Sequence, residues 1–405
     1  MSPPPTPAGT STKYLIIGGG MTGDAAVHGI REIDGTGSIG VIGSEAHPSY
    51  NRPPLSKALW KGKPLESIWR EPEERGVAWH RGRTAVSLDP GNRKVTDDQG
   101  TVHAYERLLL ATGASPRRLP FGTGRVIYYR TLDDYRRLRD MIVKGRRFAV
   151  IGGGFIGSEV AAALAMNDRE VVLLFPDDGI CGRLFPPDLA RSLNDYYREK
   201  GVEVMAGASV TGLDASGDRS VLRVREGRTG RVTSIAVDGV VAGIGVQPNV
   251  DLAQAAGLEI DNGIRVDAGL RTKHPDIFAA GDVAACHNPV LDQWLRVEHE
   301  DNANTMGRLA GRAMAGEAVT YDHLSMFYSD LFDLGYEAVG ELDARLETVA
   351  DWKEPFREGV VYYLRGGRVR GVLLWNVWEQ VDAARQLIAE PGPIHAKELK
   401  GRLPA

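Results

Sequence analysis

The chain has 405 residues, 42% of them hydrophobic and 25% charged, with a formal net charge of -4. That length predicts two or three domains of a globular protein, and the near-neutral charge offers no electrostatic footprint for nucleic acid or a membrane surface. No apolar run nears the ~20 residues that span a bilayer.

Residues 1–12, rich in Pro, Ser and Thr and without an apolar segment, read as a flexible tail and not as a targeting peptide. The cytoplasm is therefore the expected compartment. The next segment, Tyr14-Leu15-Ile16-Ile17, reads as a strand. It leads into Gly18-Gly19-Gly20-Met21-Thr22-Gly23, a helix from Asp24 to about Glu32, and a second strand from Ile39 to Gly43 that ends at Ser44-Glu45. Gly18, Gly20 and Gly23 suit a tight turn that brings backbone amides to a pyrophosphate at a helix N-terminus, where the dipole favours negative charge. Glu45, about 20 residues on, is placed for a ribose hydroxyl.

One such motif is weak evidence, but this one returns. Leu108 to Leu110 is a buried strand ending in Ala111-Thr112-Gly113-Ala114. After it, Phe148 to Ile151 leads into Gly152, Gly154 and Gly157, then a helix from Ser158 to about Ala165, a strand from Val171 to Phe175, and Asp177. Two complete dinucleotide fingerprints imply a relay between a bound flavin and an exchanging nicotinamide. The Arg-rich stretch from Tyr135 to Arg147 reads as the solvated face of a helix. Val240 to Asn249 and Ile277 to Asp282 are two more apolar runs ending in small residues, so the first fold opens near residue 14, yields near 120 and resumes near 245. From about Ser325 the pattern changes. Gly359 to Trp375 reads as a hairpin turning at Arg365-Gly366-Gly367-Arg368, followed by a helix from Val377 to Ala389. Cys181 and Cys286 are the two cysteines, which argues against a disulfide framework, a close redox pair and a Cys-based metal site. No metal is expected.

The chain resembles the FAD-dependent pyridine nucleotide reductases, and within them the bacterial ferredoxin and rubredoxin reductases. Tyr50-Asn51-Arg52-Pro53-Pro54-Leu55-Ser56-Lys57 looks like the flavin-side segment of that family. In the C-terminal third, Arg296 to His299, Ser325 to Asp330, Gly335 to Gly340 and Leu374-Trp375-Asn376 are similar to apoptosis-inducing factor, with Tyr328 in place of a tryptophan.

The resemblance implies an α/β fold with two Rossmann-like domains in a glutathione-reductase-like arrangement. FAD would be bound by 13–120 and 246–324, NAD by 121–245, and 325–405 would form a C-terminal α+β domain. It assigns Gly18, Gly20, Gly23, Glu45, Arg52, Lys57, Ala85, Arg130, Asp282, His299 and Glu300 to FAD. To NAD it assigns Gly152, Gly154, Gly157, Asp177, Arg183, Gly245, Glu298, His299, Tyr328 and Glu337. Lys57 and Glu159 would pair beside the flavin and carry the catalytic electrostatics. The plainer alternatives are an exposed ion pair for Lys57 and Glu159, a capped loop residue for His299, and core packing for Tyr328 and Trp375. The implied activity is NADH oxidation through FAD to a quinone, oxygen or small redox protein. Its alternatives are a ferredoxin or rubredoxin reductase and a slowly turning flavin sensor. A monomer or homodimer is expected.

Overall fold

The apolar run Tyr14 to Ile17 lies within a strand, Thr10–Ile17, of the computed structural model, which describes residues 10–70, 76–122 and 124–404. The chain divides into two compact units. The first contains the described residues to Asn51, then Leu65–Ser115 and Gln247–Ser325, and the second contains Arg52–Pro64, Pro116–Val246 and the residues from Met326 onward.

A seven-stranded sheet builds the first unit. Thr10–Ile17 runs parallel to Ile39–Gly43 on one side and to Val102–Leu110 on the other, and Val77–Arg81 adds a parallel edge beyond Ile39–Gly43. The far side of Val102–Leu110 is shared. Its first half pairs antiparallel with Lys94–Asp97, and its last three residues pair in parallel with Ile277–Ala279. Where the sheet is covered on both faces, at Tyr14 to Ile17, Ile39–Gly43, Leu108 to Leu110 and Ile277–Ala279, the strands are continuous apolar runs. Helices Met21–Ile33 and Glu300–Met314 pack on the sheet and on each other, and Leu15, Ile16, Leu108, Leu109 and Ile277 are fully buried.

The second unit holds a five-stranded parallel sheet in the order Val202–Ala206, Glu170–Phe175, Arg147–Ile151, Gly239–Ala242, Val126–Tyr128. Helices Leu132–Lys144, Phe155–Met166 and Pro187–Glu199 are interleaved along the chain, as a doubly wound fold requires. Leu132–Lys144 starts at a capping box, with the Thr131 hydroxyl and the Asp134 carboxylate satisfying each other's backbone N–H, and its Arg136 and Arg137 face solvent. A five-stranded antiparallel sheet follows, from Met326–Leu331 through Leu334–Gly340, Arg368–Trp375 and Glu358–Arg365 to Glu347–Glu354. Its Arg365–Arg368 hairpin turns at Gly366 and Gly367, both at positive φ, the geometry in which glycine leads.

Four differences from the sequence expectations have physical causes. The first strand begins at Thr10, inside the stretch expected as tail, because Thr10, Ser11 and Thr12 pair with His103, Ala104 and Tyr105. Residues 1–9 of that expected tail lie outside the described residues. Both glycine-turn helices start earlier than expected, at Met21 and Phe155, since the middle glycine of each turn is the N-cap. The last helix starts at Val381 instead of Val377, because Asn376 and Glu379 sit at positive φ and break the helical path. Finally, Arg52–Pro64 groups with the second unit, tied there by the Tyr129 hydroxyl donating to Leu55 O and by the contacts of Ser56 and Lys57 with Glu159.

Candidate functional site

The two glycine turns have nearly one geometry. Gly18 has φ +125° and Gly152 has φ +113°. A Cβ at Gly23 would sit 2.0 Å from Gly18 O, and one at Gly157 would sit 1.8 Å from Gly152 O. The outer glycines are therefore required by the chain's own packing. The middle ones are different. Gly20 and Gly154 are N-caps with φ/ψ of -85°/-167° and -84°/-167°, which any residue can adopt, and neither makes a side-chain cap. A Cβ on Gly154 would meet no protein atom within 4 Å. The helix start is thus left bare, with uncapped amides and the positive end of the dipole facing open space, and this suits a pyrophosphate. The residues present fit a dinucleotide at this turn.

In the first unit Glu45 follows Ile39–Gly43, and its carboxylate accepts a hydrogen bond from the Tyr50 hydroxyl at 2.5 Å. Ala85 opens the strand Ala85–Asp89. Asp282 is buried in a short turn of helix, Gly281–Val283, and its carbonyl accepts from Arg296. The same arginine pairs with Glu298 at 2.6 Å. His299 is the N-cap of Glu300–Met314 but makes no side-chain cap. Glu300 is the first residue of that helix. Asp24, in the first turn after the glycines, is buried and paired with Arg70 at 2.6 Å. This contact has no sequence signature, since it joins residues 46 positions apart.

The second unit brings Lys57, Glu159 and Tyr328 together. Lys57 Nζ lies 2.9 Å from Glu159 Oε1, with side chains 10% and 2% exposed, which removes the exposed-pair alternative. The ammonium also sits 5.1 Å from the centre of the Tyr328 ring, a cation–π contact. Two hydroxyls unassigned from sequence complete the group: Ser56 donates to Glu159 Oε2 at 2.5 Å, and Ser329 donates to Oε1 at 2.6 Å. Tyr328 stands directly across the strand pair from Glu337. Glu337 is half-buried, its Oε2 has no hydrogen-bond partner among the described residues, and burial raises its pKa, with the charge of Glu379 adding to the shift. Trp375 is a core residue, stacked on Tyr336 at 5.6 Å.

Elsewhere in this unit Asp177 follows Glu170–Phe175 and lies 3.4 Å from Arg183 Nε, both partly open to solvent. Gly245 has φ +91°, and its carbonyl accepts from the Arg117 amide. Arg52 donates to the carbonyl of Arg130 at 3.1 Å. Cys181 and Cys286 are free and buried, and burial pushes their thiols up to about 12 and about 11, so neither is poised as a thiolate. No helix among the described residues is long and apolar enough to cross a membrane.

Comparison with known proteins gives the same outline. Residues 12–307 match the model of the pyridine nucleotide-disulphide oxidoreductases. Residues 310–355 and 350–390 match that of the mitochondrion-associated C-terminal region of apoptosis-inducing factor. The ferredoxin–NAD(+) reductase component of the anthranilate 1,2-dioxygenase system of Burkholderia cepacia is 34% identical, over 94% of this chain and 95% of its own. Putidaredoxin reductase of Pseudomonas putida is 31% identical over 94% and 93%. Among solved structures, a covalent putidaredoxin reductase–putidaredoxin complex superposes with a TM-score of 0.88 at 30% identity, covering 95% of both chains.

Proposed function

The chain belongs to the pyridine nucleotide-disulphide oxidoreductase family, and from that premise we propose that it takes electrons from NADH and delivers them to a ferredoxin-type iron–sulfur protein. It is an FAD-dependent NAD(P)H oxidoreductase. When bound, FAD accepts hydride from the nicotinamide and releases electrons onward.

In this reading Gly18, Gly20 and Gly23 hold the FAD pyrophosphate and Glu45 its ribose. Ala85 meets the adenine end through its backbone, Asp282 the ribityl chain, and Arg52, Arg130, His299 and Glu300 the remainder. Gly152, Gly154 and Gly157 hold the NAD pyrophosphate, with Asp177 and Arg183 at the ribose. Gly245, Glu298, Tyr328 and Glu337 serve its nicotinamide half. Asp177 accepts ribose hydroxyls and repels a 2′-phosphate, which favours NADH over NADPH. Lys57, held by Glu159, sets a fixed positive charge where negative charge accumulates on reduction. The proposed compartment is the cytoplasm.

The observation that carries the dinucleotide part of this reading is the open space in front of Gly154, in a turn whose other glycines, Gly152, Gly153 and Gly157, are packed tightly against protein. The ferredoxin-type acceptor rests on the relatives' named activities, together with two buried cysteines that supply no redox pair. Stopped-flow reduction by NADH, followed by reoxidation with a [2Fe–2S] ferredoxin, a rubredoxin, a quinone and oxygen in parallel, tests it. The ferredoxin should be the fastest acceptor. A faster quinone or oxygen reaction overturns the assignment.

The match of the C-terminal region to apoptosis-inducing factor favours one second reading, a flavin sensor of NADH. Slow reoxidation by all four acceptors, with a long-lived reduced state, selects that reading.

A further inference from the structure

We infer that Ser56 and Ser329 are positioning residues, which lock the Glu159 carboxylate in one orientation and thereby fix the place of the Lys57 ammonium. Three separate elements meet at this carboxylate. Ser56 ends the short helix Pro53–Ser56, Glu159 lies in the helix Phe155–Met166, and Ser329 is in the strand Met326–Leu331. Both hydroxyls are buried. Ser56 occupies Oε2, while Ser329 and Lys57 share Oε1. With each oxygen pinned from a different element, the carboxylate cannot rotate without breaking a charge-assisted hydrogen bond.

A lysine side chain has four rotatable bonds whose freedom is lost on being fixed, so a rigid counter-ion is what gives the ammonium a defined position. Four titratable groups that feel the charge of this carboxylate stay neutral. Burial raises the pKa of Cys181, Tyr197, Tyr336 and Tyr129, and the charge of Glu159 adds to each shift, so Lys57 faces this carboxylate without competition from them. Two serines directly beside Lys57 and Tyr328 in sequence thus do their work at a residue more than 100 positions away from either.

The consequence for the flavin rests on the reading that Lys57 faces it; the positioning itself does not. Ser56→Ala, Ser329→Ala, the double variant, Ser329→Thr, Glu159→Gln and Lys57→Met are prepared as holoenzymes. Two readouts are taken: the rate at which Lys57 is acylated by an amine-reactive ester, followed by peptide mass spectrometry, and the midpoint potential of the flavin. The double alanine variant should label about fivefold to tenfold faster than the parent, the scale of one ordinary net hydrogen bond. It should approach Glu159→Gln and lower the potential in the same direction as Lys57→Met, while Ser329→Thr, which keeps the hydroxyl, stays near the parent. If the double variant labels like the parent while Glu159→Gln labels faster, the serines do not position the pair. If labelling rises as expected but Lys57→Met leaves the potential unchanged, the positioning stands and the reading of Lys57 as the flavin's charge partner falls.

Discussion

Lys57 and Glu159 form a buried ion pair at 2.9 Å between a short helical segment and a helix that starts 98 positions later, at Phe155 (155 − 57 = 98). Taking one partner from such a pair leaves an uncompensated charge, a loss of about 3–5 kcal/mol where burial is complete. Lys57→Met and Glu159→Ala should each slow reduction by NADH by about tenfold or more. Because the two act as a unit, the double variant should lose less than the sum of the singles. Additive losses in single-turnover kinetics would mean that the pair does not work as one device.

Gly154→Ala separates binding from folding. The backbone there is accessible to any residue and the new methyl meets no protein atom, so stability should stay within about 0.5 kcal/mol of the parent. FAD should remain bound, while the concentration of NADH needed for half-maximal reduction rises steeply. Gly157→Ala is the contrast, since its methyl would lie 1.8 Å from Gly152 O and the turn cannot form unchanged. Unimpaired NADH titration of Gly154→Ala would remove the pyrophosphate from this turn.

Asp177→Ala should narrow the preference for NADH over NADPH by about tenfold, the scale of one lost charged contact. Arg183, 3.4 Å away, is then free to meet a 2′-phosphate. The ratio of kcat/KM for the two nucleotides measures this directly. An unchanged ratio would place the ribose elsewhere.

Acid stability should depend on Asp97, which is fully buried beside His103 and Arg83. Burial alone would raise its pKa, but hydrogen bonds from His103 and the amides of Thr101 and Gln99, with the charge of Arg83, hold it at about 2. A carboxylate whose folded pKa is depressed stabilises the fold above its unfolded pKa, near 4, and that contribution disappears as pH falls through the folded value. The shift corresponds to about 2 kcal/mol. Urea unfolding from pH 6 down to about pH 2 should show a steeper loss for the parent than for Asp97→Asn, and parallel curves would refute the linkage.

Local chemistry was readable wherever a residue's task is local. Gly18, Gly23, Gly152 and Gly157 announce their turns because an added Cβ would collide with backbone, and Gly366-Gly367 marks its hairpin because both residues sit at positive φ. The cores of the strands follow from apolar runs such as Leu108 to Leu110. Features decided by partners far along the chain were not readable. Thr10 to Thr12 looks like tail until Val102–Leu110 pairs with it. Ser56 and Ser329 are two ordinary serines until the fold sets them on opposite oxygens of Glu159. The membership of Arg52–Pro64 in the second unit rests on contacts to Tyr129, Asn167 and Glu159, each outside any window that periodicity can see.

The late arrival of Ile277–Ala279 at the edge of Leu108–Leu110 also governs how the protein is made. The ribosome must add 169 residues (277 − 108 = 169) between the two partners, which at about 5–20 residues per second takes roughly 8–34 s. Throughout that interval the first sheet carries an apolar edge with open hydrogen-bonding groups, the kind of surface that pairs with whatever strand is nearest. Yield of the intact flavoprotein should therefore follow synthesis temperature and chaperone supply more closely than it follows the stability of the finished fold.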